Sequence, residues 1–427
     1  MAKAHIHPCL PGHLKGTLLI PPSKSHTLRA LLFALMAKGK SRIQNPLSSP
    51  DTSAMIDAIC CLGGKVDRER DVLIVHGVAG RLKPAENVID CGNSGQVLRF
   101  IGALSSLLST YTIFTGDPSI RHNRLVQPLL DALQQLGAFA ASSKLDGYAP
   151  IIIRGPLQGG AAILNGEDSQ PISGLLILGA FTPLKLNVLH PGEQPWIALT
   201  LSWFDRLGIP YVNHNFERYE MKGGAKLDAF DYIVPGDFSS AAFPIGAALI
   251  THSELTLQSL DLKDSQGDKA ILSVLEKMGA RFEIDQNRLT VKKTARLKGI
   301  RIDINDFIDA LPILAVIACF AEGTTEIVNA AIARKKESDR IRGVAVELRK
   351  MGASIEEKPD GLIIHGSPLN GAHLETYHDH RLVMALSVAA LGAIGSSSVN
   401  GFEGCAKTWS TFLADFQTIG AHIERIV

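Results

Sequence analysis

Strong charge of either sign is missing from this 427-residue chain: 43 lysines and arginines stand against 42 aspartates and glutamates, a net of +1. A protein that lives on nucleic-acid phosphates carries a basic excess, so that partner class is excluded, and any anion must be held by a few aimed cations. Long apolar runs are missing too. The longest, around Ala310–Phe320, falls well short of the ~20 residues a membrane span needs. The N-terminal stretch MAKAHIHPCLPGHLKG has no apolar h-region and no cleavage signature, so neither an export signal nor a membrane partner is expected. Cysteines are few, six in all and scattered, which predicts a reduced cytoplasmic protein without a disulfide framework; the adjacent Cys60 and Cys61 are expected as small core residues. Nucleotide signatures are absent: no Gly-x-Gly-x-x-Gly follows a strand, and Gly39-Lys40-Ser41 lacks the first glycine of a phosphate loop, so it reads as a turn.

What is present is ordinary globular composition, 46% hydrophobic and 20% charged, in a chain long enough for two or three domains. A helical apolar stripe ending in Gly and followed by a short β-like run recurs six times. It reads DAICCLGGKV, DALQQLGAFA, SWFDRLGIPY, SVLEKMGARF, VELRKMGASI and ADFQTIGAHI, with stops at Gly63, Gly137, Gly208, Gly279, Gly352 and Gly420. The steps are 74, 71, 71, 73 and 68 residues. Gly just past a helix enters the left-handed region without a Cβ clash, so these are six helix stops of one repeated α/β unit. Each unit has room for a second helix, visible at Ser25–Lys38, Gly95–Leu108, Gln170–Phe181, Ser239–Ile250 and Ala310–Ala321. These segments are apolar on every face and should be buried on every face. Helices such as Ser338–Met351 carry charge on one side and should face solvent. Six units divide into two lobes of three. Breakers at Pro21-Pro22 and within Asp231–Asp237 set a first lobe at 22–233 and a second at 1–21 plus 234–427, with a cleft between lobes as the expected ligand site.

Two short patterns suggest metal ligands. His5, His7 and Cys9 alternate on one strand face, and His378 and His380 form an H-x-H, but no nearby carboxylate completes either shell, so no metal is expected. Cations beside helix starts are the stronger signal. Lys24 opens the first buried helix, with Arg29 one turn on from Ser25. Arg124 opens the helix ending at Gly137, Lys336–Arg340 opens the one ending at Gly352, Asp379-His380-Arg381 opens another helix, and Lys407 begins the last. Helix N-termini already attract anions, and cations placed there point to anionic ligands. Glu337 and Asp379 beside them allow proton transfer.

These residues lie in motifs that resemble the enolpyruvyl transferase family, in particular its shikimate branch: PPSKSHTLRA, CGNSGQVLRF, GDPSIRHNRLVQPLLDAL, DSQ, DFIDALPILA, KKESDR, HDHR and AKT, in the family's order along nearly the whole chain. The resemblance implies an α/β fold of two lobes, each of three repeated units in an inside-out α/β barrel. It implies that an acceptor hydroxyl adds to C2 of phosphoenolpyruvate, C3 is protonated, and phosphate leaves with loss of a C3 proton, without metal or organic cofactor. Lys24, Asn93, Gly95, Arg124, Gln170, Arg340, Arg381 and Lys407 match the phosphoenolpyruvate site. Asp309 matches the base, and Glu337 with Lys24 the shuttle for the C3 proton. Ser25, Arg29, Asp168, Ser169, Gln170, Glu193, Trp196, Asp309 and Lys336 match acceptor-binding positions. The implied acceptor is shikimate 3-phosphate, and a monomer is expected. The sister branch on UDP-N-acetylglucosamine uses a loop cysteine that Ser119–Asn123 lacks, and RNA-3′-phosphate cyclases need a nucleotide signature that is absent.

Three positions depart from the family. Asp168 and Glu193 replace phosphate-binding serines, and two carboxylates there would repel a phosphate dianion by about 4 kcal/mol per charge pair at ~4 Å and effective dielectric ~20. They suggest, as an alternative, the same transfer to an unphosphorylated cyclitol, nucleoside or aminosugar; a non-catalytic binding relative is the remaining option. Gln96 places bulk beside Gly95, and Leu125 in place of proline should loosen the loop after Arg124.

Overall fold

The computed structural model describes residues 2–426. It contains six four-stranded sheets, and all six share one topology. An outer strand runs parallel to its neighbour, and the next two strands are antiparallel, as in Ile89–Asp90, Thr112–Thr115, Ile151–Arg154 and Phe139–Ser142. Within a unit the order is strand, buried helix, strand, amphipathic helix and hairpin. The helix crossover gives the parallel pair and the short turn the antiparallel ones. All six stripe-ending glycines carry positive φ, from 66° at Gly208 to 107° at Gly279. The reading of those residues as helix stops therefore holds at every repeat.

The chain divides into two compact bodies, Pro22–Val234 and Met1–Pro21 with Pro235–Val427. In the first, the helices Lys24–Met36, Gly95–Ser105 and Ser169–Gly179 form the centre, nearly all of their side chains buried. In the second, Phe238–Ile250, Leu311–Cys319 and His380–Leu391 pack against one another in the same way. Three units are completed by strands from far along the chain. Asp231–Ile233 pairs in parallel with Lys38–Gln44, and Lys15–Leu19 with Glu254–Gln258. Strand Lys3–Ile6 lies between Ser397–Asn400 and Ile423–Ile426.

Several local expectations need correction. The first buried helix ends at Met36, because Ala37 turns extended and Lys38 enters a strand; Gly39–Ser41 belongs to that strand and is no turn. Cys60 is exposed on its helix and Cys61 half-buried, since the stripe of Pro50–Cys61 that meets the core is Ala54, Met55, Ala58 and Ile59. Lys407 closes a 3-10 turn, Phe402–Lys407, and the last helix starts only at Phe412. Arg124 lies ahead of the helix Gln127–Gln135 and outside it. The charged helix Arg340–Lys350 buries Glu347 completely, although its exposed face is polar as read.

Candidate functional site

In the body Pro22–Val234, the three core helices begin with hydroxyl or carboxylate caps. Ser23 caps Lys24–Met36, Ser94 caps Gly95–Ser105, and Asp168 caps Ser169–Gly179. The residues singled out from sequence sit at or beside these starts. Lys24 pairs with Asp51 at 3.4 Å. Ser25 Oγ accepts from Gln96 Nε2 at 3.2 Å, so the bulk of Gln96 ties two helix starts together. Arg29 is buried, donating to Thr200 Oγ1 at 3.0 Å, the Ser25 carbonyl at 3.2 Å and the Trp196 carbonyl at 3.2 Å, and it lies over the Phe100 ring. No carboxylate pairs with it among the described residues, and burial drags its guanidinium pKa down. A buried cation without counter-charge is costly, which suits the site to an anionic ligand.

Gly95, Arg124 and Gln170 come together. A Cβ on Gly95 would stand 2.4 Å from an Arg124 nitrogen and 2.9 Å from Gln170 Oε1, so only glycine lets them approach. Arg124 donates to Gln170 Oε1 at 3.5 Å. Asn93 holds Asp117, at 2.6 Å, and Asp117 caps the short helix Pro118–His122 that precedes Arg124, so the stretch Ser119–Asn123 read as a loop is mostly helical. Asp168 accepts from the Gln170 amide at 3.0 Å and pairs with Arg99 at 3.2 Å. Glu193, buried and at φ 48°, accepts from the amide and hydroxyl of Ser169, each at 3.1 Å. Both carboxylates are thus tied within the fold: Asp168 is offset by the Arg99 guanidinium, and Glu193 is held by neutral donors. Trp196 is buried and contributes its carbonyl to Arg29.

The second body gathers Asp309, Lys336, Glu337, Arg340, Arg381 and Lys407. Arg340, 1% exposed, is held by three carboxylates: Asp309 at 2.6 Å, Glu337 at 2.7 Å and Asp379 at 2.8 Å. Arg381 pairs with the other oxygen of Asp309 at 2.6 Å, and Lys407 with Glu337 at 3.0 Å. Burial pushes the Asp309 carboxyl up, but Arg381, Arg340 and Lys336 outweigh it and hold the group well below the usual range. Burial lowers the Arg340 pKa and the three carboxylates more than restore it. Asp379 caps His380–Leu391 and aims Arg381 through the Arg381 amide at 2.9 Å. Arg381 Nε is buried with no hydrogen-bond partner, a donor suited to an oxyanion. Behind this cluster Asp268, fully buried and accepting from Ser239 Oγ, is pushed up to about 7 by burial and by Asp309.

Four contributors escaped the sequence reading. Asp51 partners Lys24, Thr200 partners Arg29, Asp268 backs Asp309, and Arg99 joins Gly95, Gln170 and Asp168. Arg99 also donates to the Leu125 carbonyl at 2.6 Å, which pins the loop that the missing proline was expected to loosen. An arginine inside the otherwise apolar helix Gly95–Ser105 was the available signal.

Six like-built units, with cations gathered at or beside helix starts and turns, are the arrangement of an enolpyruvyl-transferase class of protein. The chain matches the family described as EPSP synthase (3-phosphoshikimate 1-carboxyvinyltransferase) over residues 10–416, and it belongs to that family of transferases. It is 42% identical over 411 residues to the 3-phosphoshikimate 1-carboxyvinyltransferase of Acetivibrio thermocellus, covering 96% of this chain and 97% of that one. It is 43% identical over 420 residues to the protein of the same name from Methanocaldococcus jannaschii, with coverage of 96% and 97%. A solved EPSP synthase from Acinetobacter baumannii superposes with a TM-score of 0.84 at 27% identity, covering 100% of both chains. Among the described residues no helix is long and apolar enough to cross a membrane.

Proposed function

We propose that this protein transfers the enolpyruvyl group of phosphoenolpyruvate to a hydroxyl of shikimate 3-phosphate and releases inorganic phosphate. The observation that carries the reading is Asp309, which spans Arg340 and Arg381 at 2.6 Å each. Those guanidiniums fit the oxygens of a small trianion. A phosphoenolpyruvate anion taking over Arg340 and Arg381 releases Asp309 from them, and its pKa rises toward the ordinary range, where it works as a base. In the addition step, Asp309 takes the proton of the acceptor hydroxyl, whose oxygen bonds to C2, while C3 receives a proton from Glu337 or Lys24. In the elimination step, a C3 proton returns to that shuttle and the bond from C2 to the phosphate oxygen breaks. The residues assigned to phosphoenolpyruvate are Lys24, Arg124 and Gln170 with Gly95, together with Arg340, Arg381 and Lys407, and Asn93 braces the segment ahead of Arg124. Ser25, Arg29, Ser169, Gln170 and Lys336 hold the acceptor, with Asp168, Glu193 and Trp196 shaping its pocket.

The relatives named for 3-phosphoshikimate favour the phosphorylated acceptor over the unphosphorylated alternative. The internal bonds of Asp168 and Glu193 support the same choice. The reading includes a monomer acting in a reducing cytoplasm, which suits six free cysteines. Phosphate release from phosphoenolpyruvate, measured with shikimate 3-phosphate and with plain shikimate, tests it. Turnover with the phosphorylated acceptor is expected; turnover only with shikimate would move the assignment to the alternative.

A further inference from the structure

The His5-x-His7 pattern lacks a completing ligand within its own segment, and the fold supplies one from the opposite end of the chain. Strand Lys3–Ile6 pairs antiparallel with Ile423–Ile426, with His5 opposite Glu424, and the His7 amide donates to the His422 carbonyl at 3.0 Å. Alternate residues of a strand face opposite sides. Ala4, Ile6 and Ile423 are buried in the core, so His5, His7, His422 and Glu424 share the outer face. The candidate donor atoms of His7, His422 and Glu424 lie within 4.8 Å of one another. His422 Nε2 already faces Glu424 Oε1 at 2.9 Å, and the His7 and His422 rings stack at 4.4 Å. His7 Nδ1 sits 3.0 Å from Ser396 Oγ, a contact that orients the ring and leaves Nε2 for a ligand. His5 borders the group, its ring 4.9 Å from that of His7. Cys9 does not join it, because its thiol lies against the His422 main chain.

The geometry points to a divalent transition-metal site formed by His7, His422 and Glu424, a clasp that ties the first strand to the last. Donors on one tetrahedral zinc lie about 3.3 Å apart, given bonds of about 2.0–2.1 Å. Turning the two stacked imidazoles out of parallel and closing donors that already lie within 4.8 Å of one another brings the three into that range, with water or His5 in the fourth position. Two imidazoles and one carboxylate select Zn²⁺, Ni²⁺ or Cu²⁺ over Mg²⁺ and Ca²⁺. The site shares no residue with the transfer chemistry proposed above, so its role is to hold the sheet.

Calorimetric titration of the tag-free full chain with ZnCl₂ tests this, together with thermal unfolding in the same salt. One equivalent of Zn²⁺ is expected to bind, with MgCl₂ producing no heat, and excess Zn²⁺ is expected to raise the unfolding midpoint by about 2–5 °C. His422→Ala and Glu424→Gln are each expected to weaken binding at least tenfold and remove the midpoint shift, while phosphate release stays at the native rate. His214→Ala, on an exposed histidine of the body Pro22–Val234, is expected to bind as the native chain does. Zn²⁺ binding undiminished in His422→Ala, or none by about millimolar ZnCl₂, overturns the proposal.

Discussion

Asp309→Asn separates two functions that one carboxylate combines. In the ligand-free protein Asp309 neutralises Arg340 and Arg381 through contacts of 2.6 Å, and each charge-assisted bond of this kind contributes roughly 1.5–3 kcal/mol. Asparagine keeps the size and one acceptor oxygen but loses the charge. Arg340 retains Glu337 and Asp379, so the fold survives. The competitor for the substrate's carboxylate and phosphate is gone, so phosphoenolpyruvate is expected to bind as tightly as before or several-fold tighter. The acceptor proton has lost its receiver, and general-base loss lowers kcat by about 10²–10⁴. A hundredfold loss corresponds to about 2.7 kcal/mol in the barrier. Steady-state phosphate release gives kcat, and calorimetry with shikimate 3-phosphate present gives phosphoenolpyruvate affinity. A kcat within threefold of native would remove Asp309 as the base. Tenfold weaker phosphoenolpyruvate binding at unchanged kcat would make it a binding group instead.

Three further outcomes are expected. Gly95→Ala forces the ends of Arg124, Arg99 and Gln170 aside, and should raise KM for phosphoenolpyruvate at least tenfold with little loss of stability, as read from kinetics and a urea melt. Asp268→Asn bears on pH. A buried acid raised from 3.8 to about 7 favours the folded state fully below pH ~4 and loses that contribution as pH rises toward 7. Asparagine mimics the protonated form, so the variant should be more stable than native at pH 8, by up to roughly 4 kcal/mol, with the gain shrinking at pH 5; an equal gain at both would contradict the assignment. Glu347, fully buried, accepts from Tyr377 Oη at 2.7 Å, Lys350 at 2.7 Å and the Glu375 amide at 2.9 Å. Glu347→Ala leaves these donors unmet and should cost about 1–3 kcal/mol in chemical denaturation. Because Glu375 and Tyr377 lead into Asp379 and Arg381, kcat should fall as well.

Much of the fold was legible because its signals are local. A helix stop needs one residue with positive φ, and the apolar-all-round segments need only their own composition to read as buried. Helix ends were read less well, since Ala37 and Lys38 leave the helix for a strand partner at Val78 that no neighbouring residue announces. The same holds at the site. Cations at helix starts were visible one by one, and the structure brings Arg340, Arg381, Asp309, Glu337 and Lys407 into a single network. Their balancing partners come from far along the chain: Asp168 finds Arg99, and Thr200 finds Arg29. At Asp168 and Glu193 a linear reading sees the carboxylate and misses the donors facing it.

The borrowed edge strands bear on biosynthesis. As the chain leaves the ribosome, the sheet around Lys38–Gln44 lacks its outer strand until Asp231–Ile233 emerges, while Lys15–Leu19 waits unpaired until Glu254–Gln258 is made. Such distant pairings are slow to close, so early-emerging segments expose sheet edges for much of synthesis. The first and last strands among the described residues, Lys3–Ile6 and Ile423–Ile426, are neighbours in one sheet. A gene in which a short linker joins those strands, reopened at an exposed turn such as the one at Gly137, is therefore expected to yield a folded, active permutant with a different order of emergence.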